Sequence, residues 1–226
     1  MIKRIGRIQQ LLVEHQFYPL LVSSALAIGL WAGRSWVWAP PRNFRFLVWN
    51  LFLAWLPYLW SLWALSIQRR QPRRWWLLLL PATLWLIFFP NAPYLVTDLI
   101  HLHSYPPVPV WYDTGMLISF AWAGCFLAVA SLYSMHQIIR DYAGRAVGWL
   151  IVIALMGLCG LGIYMGRFLR WNSWDIFLYP TDVLSDIAHH LAHPLSHLQA
   201  YGVTLMFAAL LFVCYWTFVS MKHHAK

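Results

Sequence analysis

The sequence predicts an all-α protein, a polytopic transmembrane helical bundle of about six spans with one amphipathic helix at its outer interface. Composition is the first observation, since 61% of the 226 residues are hydrophobic and only 10% are charged. That much apolar surface exceeds what one soluble core can bury. The spacing of the apolar runs is the second, because each is about 20 residues long and so crosses about 30 Å of hydrocarbon.

Six apolar runs, separated by short polar connections, form the predicted spans of a single domain covering residues 1–226. They are Phe17 to Trp38, Phe44 to Ser66, Trp75 to Ile100, Gly115 to Ile138, Val147 to Gly166 and Tyr201 to Met221. Their continuous apolar character excludes a transmembrane β-barrel, whose strands alternate apolar and polar residues. Residues 1–16 form a basic N-terminal segment, and residues 167–200 form a polar loop that contains the outer helix.

The cations are distributed unevenly between the two sides that six spans define. Eleven lie on one side: Lys3, Arg4, Arg7, Arg69, Arg70, Arg73, Arg74, Arg140, Arg145, Lys222 and Lys226. Five lie on the other: Arg34, Arg42, Arg45, Arg167 and Arg170. Because loops rich in Lys and Arg stay in the cytoplasm, we predict that both termini are cytoplasmic. The net charge of +9 therefore reports topology, and we expect no nucleic-acid partner.

The end of the third span carries helix-breaking and polar residues where hydrocarbon is expected. Pro90 and Pro93 each lack a backbone donor and obstruct the carbonyl one turn earlier, so the helix should break or kink around Asn91. A break at membrane depth is tolerated where it is buried in protein or lines a polar cavity. The alternative is a simple kink in which Asn91 satisfies the local backbone.

A helix that resumes after this break would place Tyr94, Asp98 and His101 on one face. A carboxylate beside an imidazole can orient it as a general base or help it to hold a metal. We therefore take Asp98 and His101 as candidate catalytic residues, and Asn91 and Tyr94 as candidate binding residues. The alternative is an ordinary Asp–His contact at an exposed helix end.

The segment GRFLRWNSWD, which follows the fifth span, is the second polar cluster. Arg167 and Arg170 are three residues apart and can hold a carboxylate or phosphate in the fork of donors of each guanidinium. Asn172 and Asp175 follow closely and are further binding candidates.

A purely structural role is the alternative for these charges. The arginines of the second cluster can form salt bridges with Asp98, Asp113 or Asp175 that lock the outer face of the bundle. Asp113 itself lies at the start of the fourth span, where the helix dipole favours an acid that has no further role.

The histidines of the outer loop, His189, His190, His193 and His197, include three at four-residue steps. Zinc is often bound at such spacings, but Pro194 disturbs the helical register and no carboxylate is placed with them. The three cysteines lie inside predicted spans without a C-x-x-C pattern. We therefore predict no metal site, and the residues identify no cofactor.

Three pairs of glycines at G-x-x-x-G spacing allow close helix packing, either within the bundle or in a homo-oligomer. They are Gly29 with Gly33, Gly144 with Gly148, and Gly162 with Gly166. Tryptophans near the span ends are typical of membrane–water interfaces, so membrane lipids are expected partners.

The motifs FFPNAPYLVTDLIHL and GIYMGRFLRWNSWD, in this order, resemble those of the uncharacterised bacterial membrane-protein family known as domain of unknown function 1361. NLFLAWLP, at Asn50 to Pro57, also fits, and the likeness extends from about Asn50 to Phe212. The resemblance implies a multi-pass protein of the bacterial cytoplasmic (inner) membrane, and it implies no activity.

Because the predicted topology puts both polar clusters on the outer side, we expect them to form one outward-facing pocket. Such a pocket suits an anionic lipid headgroup or a lipid-linked substrate, and Asp98 with His101 can transfer a proton there if the protein is an enzyme. The alternatives are a small-solute transporter or binding protein, and a scaffold whose polar residues only pair internally.

Overall fold

The structure is a computed structural model that describes residues 9–40, 43–104, 106–192 and 197–224. Within these ranges the chain is helical and contains no β-strand. Six helical stretches are long and apolar enough to cross a membrane, which confirms the predicted number. They are span 1, Phe17–Trp38; span 2, Arg45–Arg70; span 3, Trp75–His101; span 4, Val110–Ala143; span 5, Arg145–Leu169; and span 6, within Leu198–His224.

Seven residues named above lie outside the described ranges. They are Lys3, Arg4, Arg7, Arg42, His193, Pro194 and Lys226.

The helices extend further than the apolar runs that predicted them. Span 2 continues through Arg70 instead of ending near Ser66, and span 4 begins at Val110 instead of Gly115. The early start of span 4 puts Asp113 inside the helix, where the carboxylate is buried and paired. Hydropathy cannot locate this start of span 4, because it counts Asp113 as unfavourable in the membrane whether or not the carboxylate has a partner.

Span 3 is broken where the two prolines predicted a break. An α-helix ends at Phe88, a short helix covers Asn91–Tyr94, and a 3₁₀-helix covers Leu95–His101. Pro93 has no N–H to offer the Phe89 carbonyl, and the Ala92 N–H donates to that carbonyl instead at 3.2 Å. The Asn91 side chain donates to the Phe88 carbonyl at 3.0 Å, so part of the disrupted backbone is satisfied locally.

Gly124 of span 4 lies against this break. A Cβ at position 124 would overlap the Ala92 carbonyl oxygen and the Leu95 side chain. Ala92, Pro93 and Leu95 are all buried. The break is therefore enclosed by protein, which is the condition under which irregular backbone is tolerated at membrane depth.

The chain forms two compact units, unit 1 from Met1 to Ile138 and unit 2 from Ile139 to Lys226. Span 4, almost all of which belongs to unit 1, is the most buried of the six spans. Two polar networks of unit 1 lie at opposite ends of its helices. The first set joins the end of span 1, the start of span 2, the end of span 3 and the start of span 4.

In unit 2, span 5 packs along the helix Leu198–His224, and Gly160 meets the Thr204 backbone so closely that a Cβ would overlap it. A helix at Pro180–Ala192 confirms the predicted amphipathic helix. Its Val183 is buried against the ends of spans 5 and 6, with Ile187 packed beside it. Part of its apolar face is therefore covered by protein, while Leu184 is 59% exposed.

Candidate functional site

The most buried charges of unit 1 are Arg34 and Asp113, which form an ion pair between spans 1 and 4. Arg34 Nε lies 2.5 Å from Asp113 Oδ1, and Nη2 lies 3.1 Å from Oδ2. The two side chains are 0% and 1% exposed. The Phe44 ring lies 4.5 Å below the guanidinium carbon and adds a cation–π contact. The two parallel hydrogen bonds give the pair the forked geometry in which arginine binds carboxylates most strongly.

Sequence reasoning missed this pair, although one signal for it was present. Arg34 lies inside the first predicted span, and an ionisable residue at that depth needs a partner within the protein. For Asp113 the sequence indicates only the favourable field of the helix dipole. The structure shows a specific partner for it, which corrects the sequence-based interpretation that the acid has no further role.

Asp98 and His101 both face the start of span 2. Asp98 is 1% exposed, and its Oδ2 accepts a hydrogen bond from Asn50 Nδ2 at 3.0 Å. The His101 ring meets the Phe46 ring edge to face, with centroids 5.0 Å apart. Asp98 and His101 are three residues apart, and in a 3₁₀-helix such residues lie on the same side of the helix. Their contacts Phe46 and Asn50 are one turn apart in span 2 and so also lie on one side. The two candidate catalytic residues therefore share a face, as the sequence predicted.

Tyr94 relates differently to Asp98. The 3₁₀-helix begins at Leu95, and each of its residues turns by about 120°, so positions four apart are offset by about a third of a turn. The α-helical spacing that predicted one common face therefore does not hold between Tyr94 and Asp98. Tyr94 is half-buried, and its carbonyl accepts a hydrogen bond from the Thr97 hydroxyl at 2.7 Å.

A second polar network lies at the other end of unit 1, around His15. This imidazole is 4% exposed, with Nδ1 3.0 Å from the Ser134 hydroxyl and Nε2 3.4 Å from Arg69 Nη2. Because a guanidinium can only donate, Nε2 is the acceptor and Nδ1 carries the proton in the neutral ring. The Tyr58 hydroxyl donates to the His15 carbonyl at 2.9 Å. The sequence did not indicate this network, since a lone histidine before a span has no pattern.

Glu14 completes the network at the surface. Its carboxylate accepts a hydrogen bond from Arg69 at 2.9 Å, and both side chains are partly exposed. The bond from Arg69 holds the pKa of the Glu14 carboxyl below its ordinary value of 4.5. The residues that precede span 1 are thus attached to the end of span 2.

In unit 2, span 5 ends in one π-helical turn at Met165–Leu169, and Arg170 follows in a left-handed conformation with φ 63°. Arg167 is half-buried and Arg170 is exposed. Left-handed backbone costs a residue with a Cβ about 1–2 kcal/mol, so glycine or asparagine is usual at a helix end of this kind.

The two remaining candidates of this segment, Asn172 and Asp175, contact each other. Asp175 Oδ2 accepts hydrogen bonds from the Asn172 backbone N–H at 2.7 Å and from Asn172 Nδ2 at 3.1 Å. These bonds close a turn that leads into the short helix Asp175–Leu178. The neighbouring Trp171 donates from Nε1 to Asp186 at 2.8 Å and ties the turn to the helix Pro180–Ala192.

The histidine rings of unit 2 lie close together. The centroids of His190 and His197 are 4.2 Å apart, and those of His189 and His197 are 5.3 Å apart. His190 Nδ1 lies 2.7 Å from the Asp186 carbonyl oxygen. Among the described residues, no group of three or more His, Cys, Asp or Glu is arranged to hold a metal ion.

The eight candidate site residues divide between the two units. Asn91, Tyr94, Asp98 and His101 belong to unit 1, whereas Arg167, Arg170, Asn172 and Asp175 belong to unit 2. Their union in one pocket stays a prediction.

Comparison with known proteins bears on the same two segments. The model of a family described as "Protein of unknown function (DUF1361)" matches residues 49–214 and so includes both polar clusters. No curated protein and no solved structure matches the chain. The match covers well over half of the sequence and agrees with the motifs that suggested it, and the chain therefore belongs to the DUF1361 family of membrane proteins of unknown function.

Proposed function

We propose that the segment after span 5 binds an anionic lipid headgroup through Arg167 and Arg170, on the outer side of a bacterial cytoplasmic membrane. The observation that carries the proposal is the state of Arg170. Its side chain is exposed and has no hydrogen bond or ion pair with another described residue. A guanidinium in this state is available to a phosphate, whose geometry it matches with two parallel donors.

The backbone of Arg170 supports the same proposal. A left-handed residue with a Cβ is strained, and such strain is concentrated at functional sites. Glycine would relieve the strain but would remove the guanidinium. Phe168, 44% exposed, and Trp171 lie on either side in the sequence, and aromatic residues of this kind favour the headgroup level of a bilayer.

The acid closest to Arg170 in the sequence has a partner of its own. Asp175 accepts hydrogen bonds from the Asn172 backbone N–H at 2.7 Å and from Asn172 Nδ2 at 3.1 Å. Asp113 pairs with Arg34, which is also predicted to lie on the outer side, so that pair favours the salt-bridge alternative.

The test compares Arg170→Gly and Arg170→Gln with Arg45→Gln, which removes an exposed arginine also predicted to be on the outer side. Native mass spectrometry of the purified protein measures retained phosphatidylglycerol relative to phosphatidylcholine. We expect both Arg170 variants to retain less phosphatidylglycerol than the wild type, and Arg170→Gly to gain about 1 kcal/mol of stability because its strain is relieved. Arg45→Gln should retain the lipid. Unchanged lipid retention in Arg170→Gly would exclude Arg170 as the headgroup ligand.

A second function, a non-catalytic membrane scaffold, is favoured by the Arg34–Asp113 pair. In this case the polar residues fix the positions of the helices and bind no ligand. Asp98→Asn and Arg170→Ala separate the two functions when protein abundance and the phenotype of a deletion strain are measured together. If both variants only lower abundance, the scaffold is supported. If both keep normal abundance and fail to complement, a binding site is supported, and the lipid composition of the deletion strain then identifies lipid chemistry.

The proposed topology is supported by the arrangement inside unit 1. Arg34, Asp98 and Asp113, all predicted to be on the outer side, take part in the contacts at one end of the helices. Glu14 and Arg69, predicted to be inside, pair at the other end. An alkaline phosphatase fused after His103 should be active, since that enzyme works outside the cytoplasm. Activity only of a cytoplasmic reporter at this position would reverse the orientation.

A further inference from the structure

The turn between spans 2 and 3 carries the densest positive charge among the described residues. Arg69, Arg70, Arg73 and Arg74 lie within six positions, and all four are exposed. Arg69 is held by Glu14 at 2.9 Å. The charges of Arg70, Arg73 and Arg74 are therefore left in excess at this end of unit 1.

The backbone of the turn is well defined by hydrogen bonds. Span 2 ends as the Gln71 N–H donates to the Ile67 carbonyl at 2.8 Å, and the Arg74 N–H returns to the Gln71 carbonyl at 3.0 Å. Arg74 Nη1 also donates to the Gln71 side-chain oxygen at 3.3 Å. The turn thus presents its arginines from a folded backbone, which lowers the entropy lost when they bind a ligand.

Two tryptophans follow the arginines directly and begin span 3. Trp75 is 58% exposed and Trp76 is 52% exposed, with ring centroids 6.4 Å apart at an interplanar angle of 78°. Tryptophan at the end of a span settles at the level of the lipid headgroups, with its ring towards the hydrocarbon. We therefore expect Arg73 and Arg74, which directly precede Trp75, to lie at the depth of the lipid phosphates.

We propose that residues 69–76 form a binding site for anionic phospholipids, with Arg70, Arg73 and Arg74 contacting headgroup phosphates and Trp75 and Trp76 fixing the depth of the site. The site is predicted to lie on the cytoplasmic side, whereas the segment proposed above to bind a headgroup is predicted to lie on the outer side. Binding at this site requires both the arginine donors and the neighbouring tryptophans. An excess of positive charge alone is not sufficient.

The loop between spans 4 and 5 provides a matched comparison. Arg140 and Arg145 are exposed cations predicted to be on the same side, but neither is followed directly by tryptophan. A general attraction between cations and an anionic leaflet would involve both loops alike. A specific site at residues 69–76 would not.

The experiment titrates the purified full-length protein with phosphatidylglycerol and with phosphatidylcholine, and follows the first bound lipid by native mass spectrometry. We expect the wild type to prefer phosphatidylglycerol by at least about tenfold, since each arginine near an anionic surface adds a favourable electrostatic contribution. Arg70→Gln/Arg73→Gln/Arg74→Gln should lower the preference several-fold, and Trp75→Ala/Trp76→Ala should lower it by less. Arg140→Gln/Arg145→Gln should leave most of it.

A lysine version of the site separates binding from topology. Arg70→Lys/Arg73→Lys/Arg74→Lys keeps every charge and hence the orientation signal, but it loses the forked donors. We expect this variant to show normal topology and a preference between those of the wild type and the glutamine variant.

Three results would overturn the proposal. The first is a wild type that does not distinguish the two lipids, and the second is a glutamine variant at residues 70, 73 and 74 that keeps the full preference. The third is a single-stranded RNA that displaces phosphatidylglycerol at equimolar amounts, which would assign the arginines to a soluble polyanion.

Discussion

Arg34 and Asp113 form a forked ion pair that joins spans 1 and 4 of unit 1, with Nε and Oδ1 2.5 Å apart and neither side chain exposed. Both charges have left water, so each depends on the other for compensation. The pairing of Arg34 with Asp113 explains both why span 4 can begin before Asp113 and why a cation can be buried inside span 1.

Removing one partner of this pair should destabilise the protein strongly. We expect Arg34→Met and Asp113→Leu each to lower the free energy of unfolding by about 3–5 kcal/mol, because a buried charge is left uncompensated. The double variant should recover most of the loss, since its apolar side chains need no partner. Unfolding in detergent against denaturant measures the three values. Arg45→Gln, at an exposed arginine, should stay within about 0.5 kcal/mol of wild type. A double variant as unstable as the two singles combined would contradict the coupling.

The hydrogen bond from Asn50 to Asp98 should also contribute to stability. Asn50→Leu removes the donor from a nearly fully buried carboxylate and should cost about 1–3 kcal/mol. Asn50→Asp should cost more, because a second carboxylate would face the first. Thermal unfolding of both variants gives the order. If Asn50→Asp is no less stable than Asn50→Leu, the expected repulsion between the two carboxyl groups is contradicted.

The close contact between span 4 and the break in span 3 predicts a contrast between two glycines of one helix. Gly124→Ala should destabilise the protein by about 1–3 kcal/mol, since the added Cβ overlaps the Ala92 carbonyl and Leu95. At Gly115 nothing lies within 4 Å of the added Cβ, so Gly115→Ala should be neutral or stabilising by up to about 1 kcal/mol. Equal effects at both positions in thermal unfolding would show that span 4 does not contact the break.

The pair formed by Glu14 and Arg69 should make stability depend on pH. Pairing lowers the pKa of Glu14 in the folded protein below its ordinary value of 4.5. Its stabilising effect is therefore fully present above the ordinary pKa and is lost as the pH falls through the lowered folded value. Because the pair is exposed, the effect should not exceed about 1 kcal/mol. The difference in stability between wild type and Glu14→Gln should shrink from about pH 6 to about pH 3. A difference that is independent of pH would mean that the pair has no electrostatic role.

Much of the fold could be predicted from local patterns. The length and continuity of the apolar runs predicted six spans, and the two prolines predicted the break after Phe88. The amphipathic helix predicted within residues 167–200 is found at Pro180–Ala192. Each of these signals acts within about 25 residues, and each has a direct physical cause in chain geometry or burial.

The candidate site was less predictable, because side-chain partners come from distant positions. The sequence predicted an α-helix in which Asp98 and His101 lie on one face. The segment is a 3₁₀-helix, in which residues three apart also lie on one face. The partners Asn50 and Phe46 could not be inferred, since no spacing relates span 2 to the end of span 3. The His15 network could not be inferred for the same reason, because the His15 ring contacts Ser134, which is 119 positions away in the sequence.

The sequence by itself determined that the chain is a helical membrane protein with six spans and that span 3 must break near its two prolines, because hydropathy and proline act on the local chain. The tertiary structure alone decided that Asp113 forms an ion pair with Arg34 and that Asp98 accepts a hydrogen bond from Asn50. It also decided that Gly124 packs against the break in span 3. The physical reason is that a buried charge or a freed backbone group requires compensation, but many residues can supply it. Only the packing of the helices selects which one does.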